Sequence, residues 1–141
     1  MADLVNEVKL GVAKGTVVED DVNANFKGEC AEVGLYLAMA RQAEREGFPE
    51  VAAALRTFGF DEAEHAAHFA ELGGMISEST KENIEKMFSG ECGASAGKRK
   101  AAVEAKEAGI DPAHDFFDES SRDEGRHAKA LEGLLSRYFA G

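Results

Sequence analysis

The sequence repeats itself once. The segment FKGEC at 26–30 returns as FSGEC at 88–92, and DEAEHA at 61–66 returns as DEGRHA at 123–128. Both correspondences have the same offset of 62 residues, with no gap between them. A chain built in this way is expected to fold as two similar halves, which present equivalent side chains at equivalent places.

Each half is predicted to be a helical hairpin. Long stretches rich in alanine, glutamate, lysine and leucine are interrupted by only two prolines, Pro49 and Pro112, which is typical of helices. Ser79 with Glu82 forms a capping-box pattern, and Asp111 is predicted to be the N-cap before Pro112. The sequence therefore predicts an all-α fold with two hairpins, 19–72 and 80–139, and with helices at about 19–46, 49–72, 80–108 and 112–139.

Length and charge limit the possible functions. The chain has 141 residues, enough for one domain with a real core, and its net charge of -11 argues against nucleic acid or a membrane as a partner. There is no run of about 18 apolar residues, and residues 1–18 lack the layout of a secretion signal. We expect an extended or irregular leader at 1–18, one domain at 19–141 and, because two cysteines form no CxxC motif, a cytoplasmic location.

Each predicted helix carries a seam of residues at alternating spacings of four and three, which is the pattern of a packed helix face. In the second helix this seam comprises Val51, Leu55, Phe58, Glu62, His65, Phe69 and Leu72. Every seam is interrupted near its middle by polar residues, namely Glu29, Glu62 with His65, Glu91, and Glu124 with His127. Four buried carboxylates at one level would repel one another and lose hydration, so a cation is expected among them.

The interrupting residues form a recognisable ligand set. Each hairpin contributes one Glu and, 33 residues later, one Glu-x-x-His, which gives four carboxylates and two imidazoles in all. Ferritin-like bundles hold dinuclear iron or manganese centres with this set. One Glu-x-x-His is common on surface helices, whereas two copies in register are specific. We predict two iron ions, which manganese or zinc could replace, and a purely structural polar network is the alternative.

The stretch FKGECAEVGLYLAMARQAEREGFPEVAAAL, followed by DEAEH, resembles the rubrerythrin family, and the resemblance covers about residues 20–139. It implies a ferritin-like four-helix bundle with a non-haem di-iron centre that reduces hydrogen peroxide. In the family, electrons come from a rubredoxin-type iron centre bound by a CxxC…CxxC module. This sequence lacks that module and is similar to the short, sulerythrin-like members. The resemblance therefore implies a separate electron donor such as rubredoxin.

Two further residues take roles from the resemblance. Glu32 breaks the repeat, since its counterpart is Ala94. In rubrerythrins an extra Glu at this spacing serves one iron, and we pair Glu32 with the iron of Glu91, with His127 as the ligand it exchanges with. Tyr36 matches a family tyrosine that hydrogen-bonds ligands or peroxide. A solvated glutamate and a core aromatic residue are the alternatives. Lys98 occupies the repeat position of Tyr36 and is expected to snorkel or to pair with a carboxylate.

Three functions share these ligands: a peroxidase, a ferritin-like protein that oxidises and stores iron, and an oxidase that activates O₂. The extra carboxylate favours the first. The connector 73–79 spans about 25 Å at most, whereas helix 49–72 is about 36 Å long. The connector cannot cross the bundle, so the chain forms either an up-down-up-down bundle or a swapped dimer. The crossover that the resemblance implies favours the domain-swapped homodimer.

Overall fold

The computed structural model describes residues 8–140, and within that range it contains four α-helices and no strand. The helices are α1 (Glu19–Arg45), α2 (Pro49–Leu72), α3 (Thr80–Glu107) and α4 (Asp111–Phe139). The predicted all-α fold with four helices is confirmed, and each predicted bound lies within one residue of the observed one. None of the described helices is long and apolar enough to cross a membrane.

The two hairpin turns are built alike, as the repeat requires. After α1 the chain reverses at Gly47 (φ 83°), and after α3 it reverses at Gly109 (φ 71°). Both residues adopt the left-handed conformation that glycine tolerates best. The next N–H in each turn donates back into the helix, from Phe48 to the Ala43 carbonyl (2.8 Å) and from Ile110 to the Ala105 carbonyl (2.9 Å). The repeated glycine therefore sets where each helix ends.

The two predicted helix caps differ in outcome. The Ser79 hydroxyl accepts a hydrogen bond from the Glu82 backbone N–H (3.3 Å), so Ser79 caps α3 as predicted. The prediction for Asp111 is wrong, because α4 begins at Asp111 and Ile110 takes the N-cap position without a side-chain cap. The Asp111 carboxylate instead accepts a hydrogen bond from Lys106 Nζ (2.9 Å). This ion pair joins the end of α3 to the start of α4.

The first hairpin brings α1 against α2 through small residues. Ala40, Ala43 and Ala52 are buried there with Leu55 packed against them. Gly59 faces α1 so closely that a Cβ atom on it would lie 3.4 Å from Tyr36 Cβ. Small side chains at these positions let the two helices approach closely over most of their length.

The second hairpin brings α3 against α4 through a reciprocal pair of hydrogen bonds. The Ser95 hydroxyl donates to the Ser121 carbonyl (2.8 Å), and the Ser121 hydroxyl donates to the Ser95 carbonyl (3.1 Å). Ser121 is buried, as are Ala102, Ala105 and Ala128 around it. Each hydroxyl therefore donates to a backbone carbonyl of the facing helix.

The predicted seam of α2 is only partly covered inside its hairpin. Leu55, Glu62 and Phe69 are half-buried, but Val51, Phe58 and Leu72 remain 50%, 48% and 39% exposed. The buried residues of α2 are instead Ala52, Gly59 and Ala66, which stand next to the seam at a spacing of seven. A contact between two helices covers only a narrow stripe on each, so a wider apolar face is left uncovered.

The described part of the predicted leader is irregular, as expected, and it packs against the end of α2. The Gly11 N–H donates to the Glu71 carbonyl (2.8 Å), and the Ala13 N–H donates to the Leu72 carbonyl (3.0 Å). Residues 1–7 lie outside the described range. The described leader therefore satisfies carbonyl groups that the end of a helix leaves without partners.

Candidate metal centre

The first hairpin gathers Glu29 from α1 with Glu62 and His65 from α2. His65 Nδ1 lies 2.9 Å from Glu62 Oε2 and 3.7 Å from Glu29 Oε2. One ligand atom of each residue lies within 4.8 Å of the others. Glu62 and His65 are three residues apart, so the helix places them on one face. We call these three residues the first triad.

The second hairpin repeats this arrangement with Glu91 from α3 and Glu124 and His127 from α4. His127 Nδ1 lies 3.1 Å from Glu124 Oε2 and 3.6 Å from Glu91 Oε2. Both distances match those of the first triad within about 0.2 Å, and the ligand atoms again lie within 4.8 Å of one another. The sequence repeat is therefore also a repeat of site geometry. We call these three residues the second triad.

Both triads have the chemistry and the size of a metal site. Carboxylate oxygen and imidazole nitrogen are donors that iron, manganese and zinc accept. Such donors sit about 2 Å from a metal, so two of them on opposite sides are about 4 Å apart. Separations of up to 4.8 Å need only small side-chain movements to reach that geometry. Three donors leave coordination positions open to further ligands.

One oxygen atom in the first triad has no partner. Glu29 Oε2 is buried and makes no hydrogen bond within the described residues. A buried acceptor without a partner is unfavourable, because it has lost its water and gained nothing in return. The atom lies on the side of Glu29 that faces His65. A cation between these groups would satisfy this oxygen, so the residues present fit a metal ion.

Contacts among the residues of the first triad shift their pKa values. A hydrogen bond with Glu62 raises the pKa of Glu29 above its usual value, and burial raises it further. Hydrogen bonds with Glu29 and then with His65 lower the pKa of Glu62. The hydrogen bond to Glu62 also raises the pKa of His65. Metal ions compete with protons for groups of this kind, so metal binding at the first triad is expected to depend on pH.

The second triad has a cation of its own. Lys98 on α3 donates a hydrogen bond from Nζ to Glu124 Oε1. This contact confirms the expectation that Lys98 pairs with a carboxylate. No lysine or arginine pairs with the first triad within the described residues. The two triads therefore share their geometry but differ in how their negative charge is compensated.

Glu32 and Tyr36 lie near the first triad without touching it in the described residues. Glu32 and Glu29 line a cavity of about 250 Å³ on α1, and Glu32 and Tyr36 line a neighbouring cavity of about 230 Å³. The Glu32 charge is one of the causes that raise the pKa of Glu29. The Tyr36 ring packs edge-on against Phe58, with 5.9 Å between ring centroids. The roles expected of both residues remain predictions.

The second triad also opens on a cavity that the sequence did not indicate. This space of about 340 Å³ is lined by two triad residues and by Met87, Ala130 and Leu131. The triad residues are Glu91 and His127, and the His127 side chain is 59% exposed. Met87 lies one helical turn before Glu91, and this spacing is a sequence signal that could have indicated the cavity.

Comparisons with known proteins indicate one family. The sequence model of the rubrerythrin family matches residues 20–135. The chain is 68% identical over 137 residues to an uncharacterized protein of Methanocaldococcus jannaschii, with 97% of each chain covered. It is 51% identical over 137 residues to reverse rubrerythrin-1 of Clostridium acetobutylicum, which covers 95% of this chain and 76% of the relative.

Proposed function

The chain belongs to the rubrerythrin family of ferritin-like di-iron oxidoreductases, and we propose on this basis that its two triads jointly bind two iron ions to reduce hydrogen peroxide. The observation that carries the proposal is the pair of matching triads, each of which is half of a six-ligand set. The domain concerned is 19–141. The family resemblance expected from the sequence is confirmed.

The proposed ligands have distinct roles. Glu62 and Glu124 would bridge the two metals, Glu29 and Glu91 would each serve one metal, and His65 and His127 would each supply one nitrogen. When bound, two ferrous ions supply the two electrons that cleave the O–O bond of hydrogen peroxide. Two protons complete the reaction, which yields two molecules of water.

Glu32 and Tyr36 are proposed to act at the edge of the centre. Glu32 would serve the iron of Glu91 in one redox state and give way to His127 in the other. Its place between two cavities supports this role, because the side chain has room to move. The Tyr36 hydroxyl would donate a hydrogen bond to a ligand or to peroxide, and the packing of its ring on Phe58 fixes its direction.

The electron donor is proposed to be a separate protein such as rubredoxin, because this sequence has no CxxC motif that could hold a rubredoxin-type iron. We also propose a cytoplasmic location. Cys30 and Cys92 are both free and exposed, and thiols of this kind persist in a reducing compartment.

The site is proposed to be completed in a domain-swapped homodimer. Each triad offers three donors, and apolar residues that remain exposed on α2 and α4, such as Val51, Phe58 and Leu134, need a covering surface. A second hairpin would supply both the missing donors and the cover. Since the connector 73–79 is too short for the crossover of a ferritin-like bundle, the hairpin of a second chain is proposed to fill this place.

Anaerobic stopped-flow mixing tests the proposed activity. The ferrous protein is mixed with hydrogen peroxide and, separately, with O₂, and oxidation is followed by absorbance. Much faster oxidation by peroxide is expected. Faster oxidation by O₂ would favour an iron-oxidising or O₂-activating protein instead. A 24-subunit shell in gel filtration would favour iron storage.

A further inference from the structure

The two hairpins differ at two positions beside their triads. Glu32 in the first repeat corresponds to Ala94 in the second, and Tyr36 corresponds to Lys98. The first hairpin therefore has one additional negative charge near its triad, and the second has one additional positive charge. Both differences fall within two turns of a triad glutamate on the same helix.

The additional positive charge is in direct contact with a triad residue. Lys98 Nζ donates to Glu124 Oε1, and the two side chains are only 34% and 16% exposed. In the first triad the equivalent carboxylate, Glu62, accepts a hydrogen bond from His65 and has no ammonium partner within the described residues. Lys98 thus gives the second triad a cation that the first triad lacks.

The charges of the proposed centre balance only if Lys98 is included. The four triad glutamates and Glu32 carry five negative charges, whereas two ferrous ions carry four positive ones. One negative charge is left over, and the Lys98 ammonium neutralises it. Partly buried charges are unfavourable unless they are compensated, so the extra carboxylate of one repeat is matched by the extra cation of the other.

We propose that Lys98 is a positioning and charge-compensating residue of the metal centre, which orients Glu124 and balances the charge of Glu32. This inference rests on the proposed di-metal centre. In the metal-free protein the ammonium stabilises the Glu124 carboxylate. The ammonium also repels an incoming divalent cation, which lowers the metal affinity. In return, the metal-free site is more stable and the metal-bound site is neutral.

Manganese titration of the metal-free protein tests the inference without any turnover. Lys98→Met keeps a similar stem and removes the charge, so Mn²⁺ affinity should rise by about tenfold or more. Without metal, Lys98→Met should have a lower Tm than the wild type. On saturation with Mn²⁺, the Tm of Lys98→Met should increase by more than the Tm of the wild type does. Lys98→Arg should restore both values. Glu32→Gln should weaken binding, and Glu32→Gln with Lys98→Met should return affinity towards the wild-type value.

Lys100→Met is the matched control. Lys100 lies two residues further on α3, its side chain is 80% exposed, and it pairs with Glu104 at 3.7 Å. Equal Mn²⁺ affinity in Lys98→Met and Lys100→Met, or weaker binding in Lys98→Met, would overturn the inference. Lys98→Tyr, which introduces the residue of the first repeat, provides a second variant if Lys98→Met does not fold. A wild-type protein that binds no Mn²⁺ would instead refute the proposed centre itself.

Discussion

At the scale of single residues, protons and metal ions compete for the same atoms of the triads. Hydrogen bonding with Glu62 raises the pKa of Glu29 and also the pKa of His65. The buried Oε2 of Glu29 has no partner in the described residues, which leaves a position for a cation. A metal ion bound at this position would compete with protons for these groups.

The pair formed by His65 and Glu62 makes the stability of the metal-free protein depend on pH. Glu62 raises the pKa of His65. The contribution of this pair to the stability of the metal-free protein is therefore fully present below the usual histidine pKa of about 6.5. It is lost as the pH rises through the raised pKa. His65→Gln should therefore lower the Tm more at about pH 6 than at about pH 8.5. His68→Gln is the control, since His68 is largely exposed and lies 3.9 Å from Glu71. Equal losses at both pH values would contradict the prediction.

Glu32 is expected to matter more for turnover than for the number of iron ions that the protein retains. Glu32→Ala should keep both iron ions, because the six triad ligands remain. It should slow peroxide reduction several-fold, because one iron loses a ligand that it has in one of its redox states. Iron content and the rate of peroxide consumption are measured on the same sample. Glu64→Ala removes an exposed glutamate of α2 and should change neither value. An unchanged rate in Glu32→Ala would make Glu32 an ordinary surface residue.

At the scale of the elements, small residues decide how closely the helices approach and hence where the triads meet. Gly59 lies one turn from Glu62, and its missing side chain lets Tyr36 and Val33 of α1 come close. This contact holds α1 and α2 near enough for Glu29 to reach within 3.7 Å of His65. Helix spacing and ligand geometry are therefore linked in each hairpin.

A large side chain at Gly59 should separate these helices. Gly59→Leu should reduce the free energy of unfolding by about 1–3 kcal/mol, because overpacking displaces Tyr36 and its neighbours. Gly34→Leu is the control, since nothing lies within 4 Å of a Cβ atom at Gly34. Chemical denaturation of the metal-free variants measures the effect. Equal stability of the two variants would show that Gly59 does not set the spacing.

The helices were predictable because their ends carry local signals, such as Pro49, Gly47 and the capping residue Ser79. The triads were predictable because the repeat places equivalent ligands in register. The prediction that Asp111 is an N-cap was wrong, because its carboxylate pairs with Lys106. The two residues come together only when the turn between α3 and α4 has formed. The buried stripe through Ala52, Gly59 and Ala66 was missed because small residues add little to an apolar pattern. Their small side chains nevertheless decide how closely the helices pack.

At the scale of the whole molecule, the proposed centre requires that two hairpins contribute ligands to it. Each triad has three donors, and apolar side chains on α2 and α4 remain exposed, including Phe58 and Leu134. In the proposed swapped dimer, the first hairpin of one chain meets the second hairpin of the other. Every centre would then contain ligands from both chains.

Complementation tests the swap. A chain with Glu62→Ala and a chain with Glu124→Ala carry different tags, and the heterodimer is purified through both. In a swapped heterodimer one centre has both lesions and the other has neither, so about half of the wild-type metal content should return. A heterodimer without bound metal, or a protein that stays monomeric, would contradict the swap and favour a bundle within one chain.

The metal content of Glu62→Ala tests most directly whether the two triads form a single centre. After anaerobic loading with ferrous iron and gel filtration, the wild type and the control Glu64→Ala should each hold two iron ions per chain. Glu62→Ala should hold none tightly, although its second triad is intact, because Glu62 is proposed to bridge both metals. Retention of one iron per chain at wild-type affinity would show that the triads bind metal independently and would contradict the dinuclear centre.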